Sequence, residues 1–166
     1  MKKIGLLARA DVHEAGHVLR DLVAWLRERG CEALVEARTA GLLEGTPPPD
    51  GILEGHALGA AVDALVVLGG DGTLLGASHL LTRPDVPVVG VNFGSLGFLT
   101  EVTLGDLYAT LQGVLAGDYP YEQRQLLHGV VRRGELVLGE DHVLNDVVIA
   151  KASLSRMLEL DLSVDG

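Results

Sequence analysis

Residues 64–73 read Ala64-Leu65-Val66-Val67-Leu68-Gly69-Gly70-Asp71-Gly72-Thr73, and the fold turns on how that stretch is read. Five apolar residues in a row suit a strand covered on both faces, as in a parallel sheet with helices on either side. The strand then runs into three glycines around one carboxylate. Glycine has no Cβ, so it tolerates positive φ and lets peptide N–H groups approach an anion closely. Leu74 to Leu81 follow as a helix-like stretch whose N-terminal end adds positive potential. A carboxylate among such donors repels phosphate. Asp71 is therefore expected to act on a hydroxyl or to hold a metal.

Working outward, Ile4–Ala8 is a short apolar strand, and Ala15, Val18, Leu19, Leu22, Val23 and Leu26 recur at helical spacing up to Gly30. Cys31–Ala37 suits a second strand. Residues 41–51, with three consecutive prolines, lack periodicity and are expected to be a mobile loop. Pro87–Val91 is a further buried-type strand. Thr103 and Asp106 make a capping-box pattern ahead of Leu107, Leu111 and Leu115, and Gly117 closes that helix. Strand and helix alternation implies an α/β class with a Rossmann-like parallel sheet, its glycine loop at a carboxyl strand end. After Asp118 the pattern changes. Gln125–Val131, Glu135–Leu138, Val143–Ile149 and the alternating run 158–164 predict strands of an antiparallel, all-β unit. The expected domains are 1–118 and 119–166, the second holding only the opening strands of a sandwich.

Composition narrows the partners. The 166 residues carry 13 Lys and Arg against 23 Asp and Glu, a net charge of −10. That balance argues against a nucleic-acid partner, because no basic surface is available to displace phosphate counterions. Cys31 is the only cysteine, which suits a reducing compartment. No apolar run reaches membrane-spanning length. A cytoplasmic protein without a membrane partner is expected.

Two more segments point to a nucleotide. Val91–Glu101 places Asn92, two glycines and the aromatic rings of Phe93 and Phe98 after the next strand, where a flat ring can be contacted. Asn145-Asp146 sets an amide beside a carboxylate, suited to the vicinal hydroxyls of a ribose. Taken one at a time, each has a plainer reading. Asp71 suits a turn residue capping the next helix, Phe98 suits a core position, and Asn145-Asp146 suits a bulge or strand end.

Together the three segments resemble the NAD kinases, whose architecture is phosphofructokinase-like, and the resemblance covers essentially the whole chain. It implies that Asp71 is the general base, with Gly69, Gly70, Gly72, Thr73 and Asn92 in the nucleotide site. It further implies that Phe98 lies against adenine, that Asn145 and Asp146 grip a ribose, and that Arg156 helps to bind the dinucleotide. The implied reaction moves the γ-phosphoryl group of ATP, or of inorganic polyphosphate, to the adenosine 2′-hydroxyl of NAD, with Mg²⁺ held largely by phosphates and water. A homodimer or homotetramer is implied as well. Three departures stand out. Asp146 is one methylene shorter than the glutamate more often found there, Gly76 stands where some members have a basic residue, and the family's second glycine- and threonine-rich motif is expected beyond Gly166. On that expectation the chain holds about half of the active site.

Two rival functions use the same residues. Lipid kinases of the diacylglycerol and sphingosine type also carry GGDGT, but with a Gly-Asn-Asp type sequence where this chain has Gly94-Ser95-Leu96-Gly97-Phe98-Leu99. A nucleotide-binding module without catalysis is the other. His13-Glu14-Ala15-Gly16-His17 also matches the H-E-x-x-H zinc-protease pattern. Here both histidines fall opposite the apolar face of the first helix, and Glu14, three residues after Asp11, is expected to complete an N-terminal cap. No protein-built metal site is expected.

Overall fold

The computed structural model describes residues 1–12, 14–44, 49–95, 97–150 and 159–164. The chain divides into two compact units, Met1–Gln125 and Leu126–Gly166.

The first unit is built on six parallel strands: β1 Lys3–Ala8, β2 Glu32–Glu36, β3 Gly51–Leu53, β4 Ala64–Leu68, β5 Val88–Asn92 and β6 Val102–Thr103. Their spatial order is β3-β2-β1-β4-β5-β6. Helices α1 Ala15–Glu28 and α5 Leu107–Ala116 cover one face, and α3 Gly55–Ala61 and α4 Asp71–Ser78 cover the other. The short α2 Ala37–Ala40 follows β2.

Alternation along the strands distributes the core between the two faces. Ile4 and Leu6 of β1 and Val66 and Leu68 of β4 meet Leu19, Leu22 and Leu26 of α1, while Leu65 and Val67 turn to Leu58 of α3 and Ala77 of α4. The side chains of Leu6, Leu19, Leu22 and Leu26 are wholly excluded from solvent, each contributing about 1.5–3 kcal/mol relative to exposure. Gly30 (φ 71°) and Gly117 (φ 75°) end α1 and α5 in the left-handed region, which glycine enters at least cost. Thr103 Oγ1 accepts the Asp106 backbone N–H and donates to the Asp106 carboxylate; these bonds fasten the turn before α5, whose cap residue is Asp106 with no side-chain cap bond, so the expected capping box does not form.

Several sequence expectations are corrected. Glu14 is the residue before α1, yet its side chain caps nothing, and Asp11 instead pairs with Arg9. The helix begins at Ala15, too late for Asp11 to act as its cap. Residues 41–43 of the expected mobile loop form a 3₁₀ turn that buries Leu43. The elements β3, α3 and β6 had no clear signal. All are short, and their form depends on the sheet beside them.

The second unit contains an antiparallel hairpin, β7 Leu127–Arg133 and β8 Leu136–Val143, with a bulge at Val131/Arg132 and Gly134 (φ 58°) in the turn. His128 stacks on His142, its Nε2 2.7 Å from Glu140 Oε1. Of the strand expected at Val143–Ile149, only Val143 is extended, as the last residue of β8, and 144–149 are irregular; of the one expected at 158–164, the described residues 159–164 are irregular and 158 lies outside the described residues. Alternation prepares a strand, but a ladder exists only where a partner backbone pairs with it. Among the described residues none pairs there. Residues 151–158 lie outside the described set, Arg156 among them.

Candidate active site

Three loops leave the carboxyl ends of neighbouring strands, and backbone bonds keep them side by side. Arg9 N–H donates to the Leu68 carbonyl at 2.9 Å, and Gly69 N–H donates to the Val91 carbonyl at 2.8 Å. The strand ladder thus continues one residue into each loop. The ends of β1, β4 and β5 open on the same edge of the sheet, where open parallel sheets bind ligands.

Helix α4 begins inside the glycine motif, at Asp71, rather than after it. The Asp71 side chain does not cap its own helix. It crosses to the loop after β5. Oδ2 accepts the Phe98 backbone N–H at 2.8 Å, and Oδ1 accepts the N–H groups of Leu99 (3.1 Å) and Thr100 (3.0 Å) and the Thr100 hydroxyl (2.9 Å). These bonds, the Phe98 N–H first, hold the carboxyl below the usual aspartate range. Of the four acceptor positions on a carboxylate, Oδ1 is saturated while Oδ2 keeps one lone pair. The arrangement makes Asp71 a weak base and a well-oriented acceptor.

Asn92 completes the network. Its Nδ2 donates to Thr100 Oγ1 at 3.1 Å, and its Oδ1 accepts the Gly94 N–H at 3.1 Å. Thr100 is fully buried, and its hydroxyl passes the Asn92 bond on to Asp71.

The loop glycines serve space rather than positive φ, since among the described residues the positive-φ glycines are 30, 55, 117 and 134. A Cβ on Gly97 would land on Asp71 Oδ1, and one on Gly69 would come within 2.5 Å of Thr73 Oγ1. By contrast, a Cβ on Gly72 meets nothing within 4 Å. Gly70, Gly72 and Thr73 line a cavity of about 230 Å³ together with Arg9.

Phe98 is 94% exposed, so the core reading of that ring is overturned. Its backbone is pinned to Asp71 while its ring stands in solvent. Asn145 and Asp146 belong to the second unit, exposed in the irregular segment after β8 rather than in a strand. Gly76 is exposed on α4. Thr100 and Arg9 were missed by sequence reasoning. A polar residue among Phe98, Leu99 and Thr100 was the only local sign of the first, and a lone cation directly after an apolar strand was the sign of the second.

The zinc-protease pattern finds no support in geometry. His17 is exposed, with its Nδ1 against the Arg20 guanidinium, and His13 lies outside the described residues. Among the described residues no three His, Cys, Asp or Glu side chains gather as a metal site. No helix among them is long and apolar enough to cross a membrane.

A twisted parallel sheet with a glycine-lined cavity at its carboxyl edge and an acid tying two adjacent loops defines a nucleotide-type α/β domain. Residues 4–119 match the ATP-NAD kinase N-terminal domain, and the chain belongs to that family. The chain is 42% identical over 165 residues to the NAD kinase of Syntrophotalea carbinolica and 41% identical over 169 residues to that of Geobacter sulfurreducens. These alignments cover 99% and 100% of this chain and 57% of each relative, so the chain spans little more than half the length of the curated relatives it matches. In structure it is similar to yeast NADH kinase complexed with NADH, with a TM-score of 0.67 over 87% of this chain and 47% of the other. At 19% identity, that likeness speaks for the fold alone. Family membership sets the lipid-kinase alternative aside.

Proposed function

We propose that this chain carries the phosphate loop and the acceptor-orienting carboxylate of a kinase that phosphorylates the adenosine 2′-hydroxyl of NAD at the expense of ATP. The observation that supports this most directly is the Asp71 bridge between the loops after β4 and β5, beside a glycine-lined cavity, in a member of the ATP-NAD kinase family.

In this reading the 2′-oxygen forms a bond to the γ-phosphorus as the bond to the β–γ bridging oxygen breaks, and ADP departs. An aspartate held below its usual pKa range is a poor base toward an alcohol. Phosphoryl transfer has a loose transition state, so proton loss comes late and alignment matters more than basicity. Oδ2 of Asp71, with one lone pair still available, accepts the bond from the 2′-hydroxyl and aims its oxygen at phosphorus.

Gly69, Gly70, Gly72 and Thr73 shape the phosphate loop, and Asn92 steadies it through Thr100. The exposed Phe98 ring stacks on adenine, and Asn145 and Asp146 hold a ribose. Arg156 is assigned to the dinucleotide by family resemblance. A protein-built magnesium cage does not fit: Asp71 is occupied by four donors, and no acidic cluster stands beside it among the described residues. Magnesium would be held by the nucleotide's phosphates and water, where it would offset the charge on the transferring phosphates. Inorganic polyphosphate is a second donor of the same chemistry, and a cytoplasmic homodimer or homotetramer is the proposed setting.

The test is NADP formation from NAD, ATP and magnesium, followed with an NADP-specific dehydrogenase. Product that depends on both ATP and magnesium supports the reading. A second reading, which rests on Asp71 being held below the usual aspartate range and so a poor base, is a module that binds nucleotide without turnover. Bound ATP and NAD with no NADP would select it.

A further inference from the structure

The strand order reverses direction between β1 and β4, and the crevice above such a reversal is where open parallel sheets take their ligands. Two loops border it. One carries Gly70, Gly72 and Thr73, the other begins at Arg9, and these four residues line one cavity. Of the four, Arg9 alone is charged. A polyphosphate at this loop needs a cation, because residues 69–80 contain no lysine or arginine and the chain as a whole is at −10.

Arg9 is fixed at two levels. Its backbone N–H donates to Leu68, one residue before the glycine pair, so the residue after β1 cannot drift from the loop after β4. Its side chain is preset by Asp11: Nε donates to Oδ1 at 2.6 Å and Nη2 to Oδ2 at 2.7 Å. That bidentate pairing uses two of the five guanidinium N–H donors and leaves three. The two side chains are 56% and 65% exposed, and an ion pair so open to water adds little to stability. Its effect is to hold in one orientation the guanidinium of a residue that lines the cavity, whose other walls are glycine and threonine.

We propose that Arg9 binds phosphate oxygens of a polyphosphate ligand, with Asp11 positioning the guanidinium. The proposal rests on the kinase reading, which brings polyphosphates to this loop. The triphosphate of a donor and the pyrophosphate of NAD share the required chemistry, and the test separates them.

The test is calorimetric titration of the 166-residue chain with ATP–magnesium, with inorganic tripolyphosphate and with NAD, at low and at physiological salt. Wild type, Arg9→Gln and Arg9→Lys are compared, with a melting curve for each. Arg9→Gln is expected to weaken binding by about tenfold or more, the range for a lost hydrogen bond to a charged group. It should also flatten the salt dependence, and Arg9→Lys should recover part of both. A loss seen with ATP and tripolyphosphate places Arg9 on the donor, and a loss confined to NAD places it on the acceptor. If Arg9→Gln melts early, Arg9→Lys decides by its salt dependence. Unchanged affinity for all three ligands in Arg9→Gln overturns the proposal and leaves the kinase reading standing. Failure of the wild type to bind any of the three overturns both.

Discussion

Asp71 and Thr100, 29 residues apart in sequence, are joined twice: one carboxylate oxygen of Asp71 accepts both the backbone N–H and the hydroxyl of Thr100. The acid of the glycine motif is thereby the fastener of the neighbouring loop. Exchanging it for an amide removes charge and turns an NH₂ group toward donors that need an acceptor. Asp71→Asn is expected to lower kcat for NADP formation by about 10²-fold or more while NAD still binds. Backbone amides of 98–100 should exchange faster with solvent. Near-normal kcat would remove Asp71 from the chemistry.

Two glycines should answer oppositely to the same change. Gly97→Ala drives a methyl group into the Asp71 carboxylate, and overpacking of this kind costs about 1–3 kcal/mol. Gly72→Ala meets nothing within 4 Å and should leave the melting temperature nearly unchanged while crowding the cavity and weakening ATP. Thermal melts of both, with ATP titrations, check the contrast. Equal melting points would show that the 97–100 loop does not rest on Asp71 as described.

Phe98→Ala separates binding from packing. A core phenylalanine lost to alanine costs about 3–5 kcal/mol, whereas a ring 94% exposed should cost less than about 0.5 kcal/mol. Stacking on a base is worth about 1–3 kcal/mol. The expected result is an unchanged melting temperature with KM for NAD raised about tenfold. An unchanged KM would detach Phe98 from the adenine.

The pH profile follows from the sign of the Asp71 shift. Its folded pKa is lowered, chiefly by the Phe98 N–H and then by Leu99 and Thr100. What the carboxylate contributes is therefore complete above the unfolded value of about 3.9 and is lost as pH falls through the lower folded value. Asp63, which accepts the N–H groups of Lys2 and Lys3, is lowered in the same way. Stability should stay flat from neutral pH to about pH 5 and fall below about pH 4. Melting curves across that range check it, and a transition near pH 6 would point to histidine instead.

Much of the fold was legible because its cause is local. Apolar runs at 4–8, 64–68 and 87–91 state a buried parallel sheet, and the spacing from Ala15 to Leu26 states α1 and its inward face. Short elements were not legible. β3 has three residues and β6 two, and α3 begins at one glycine and carries another at 59, so pairing and packing rather than propensity make them. The run expected as a strand at 143–149 fails beyond Val143 for the converse reason: the apolar pattern is present at 144–149, but among the described residues no pairing backbone stands beside it.

Sequence alone determined that a glycine loop with one acid sits at the carboxyl end of a central strand, because strand propensity, burial pattern and the absence of side chains are properties of neighbouring residues. Only the tertiary structure decided what the acid does. Its partners lie 27–29 residues away on another loop, and the cation beside the glycines comes from the end of β1. A carboxylate takes its pKa and its remaining lone pair from the donors that surround it in space, and those are set by the order of strands in the sheet.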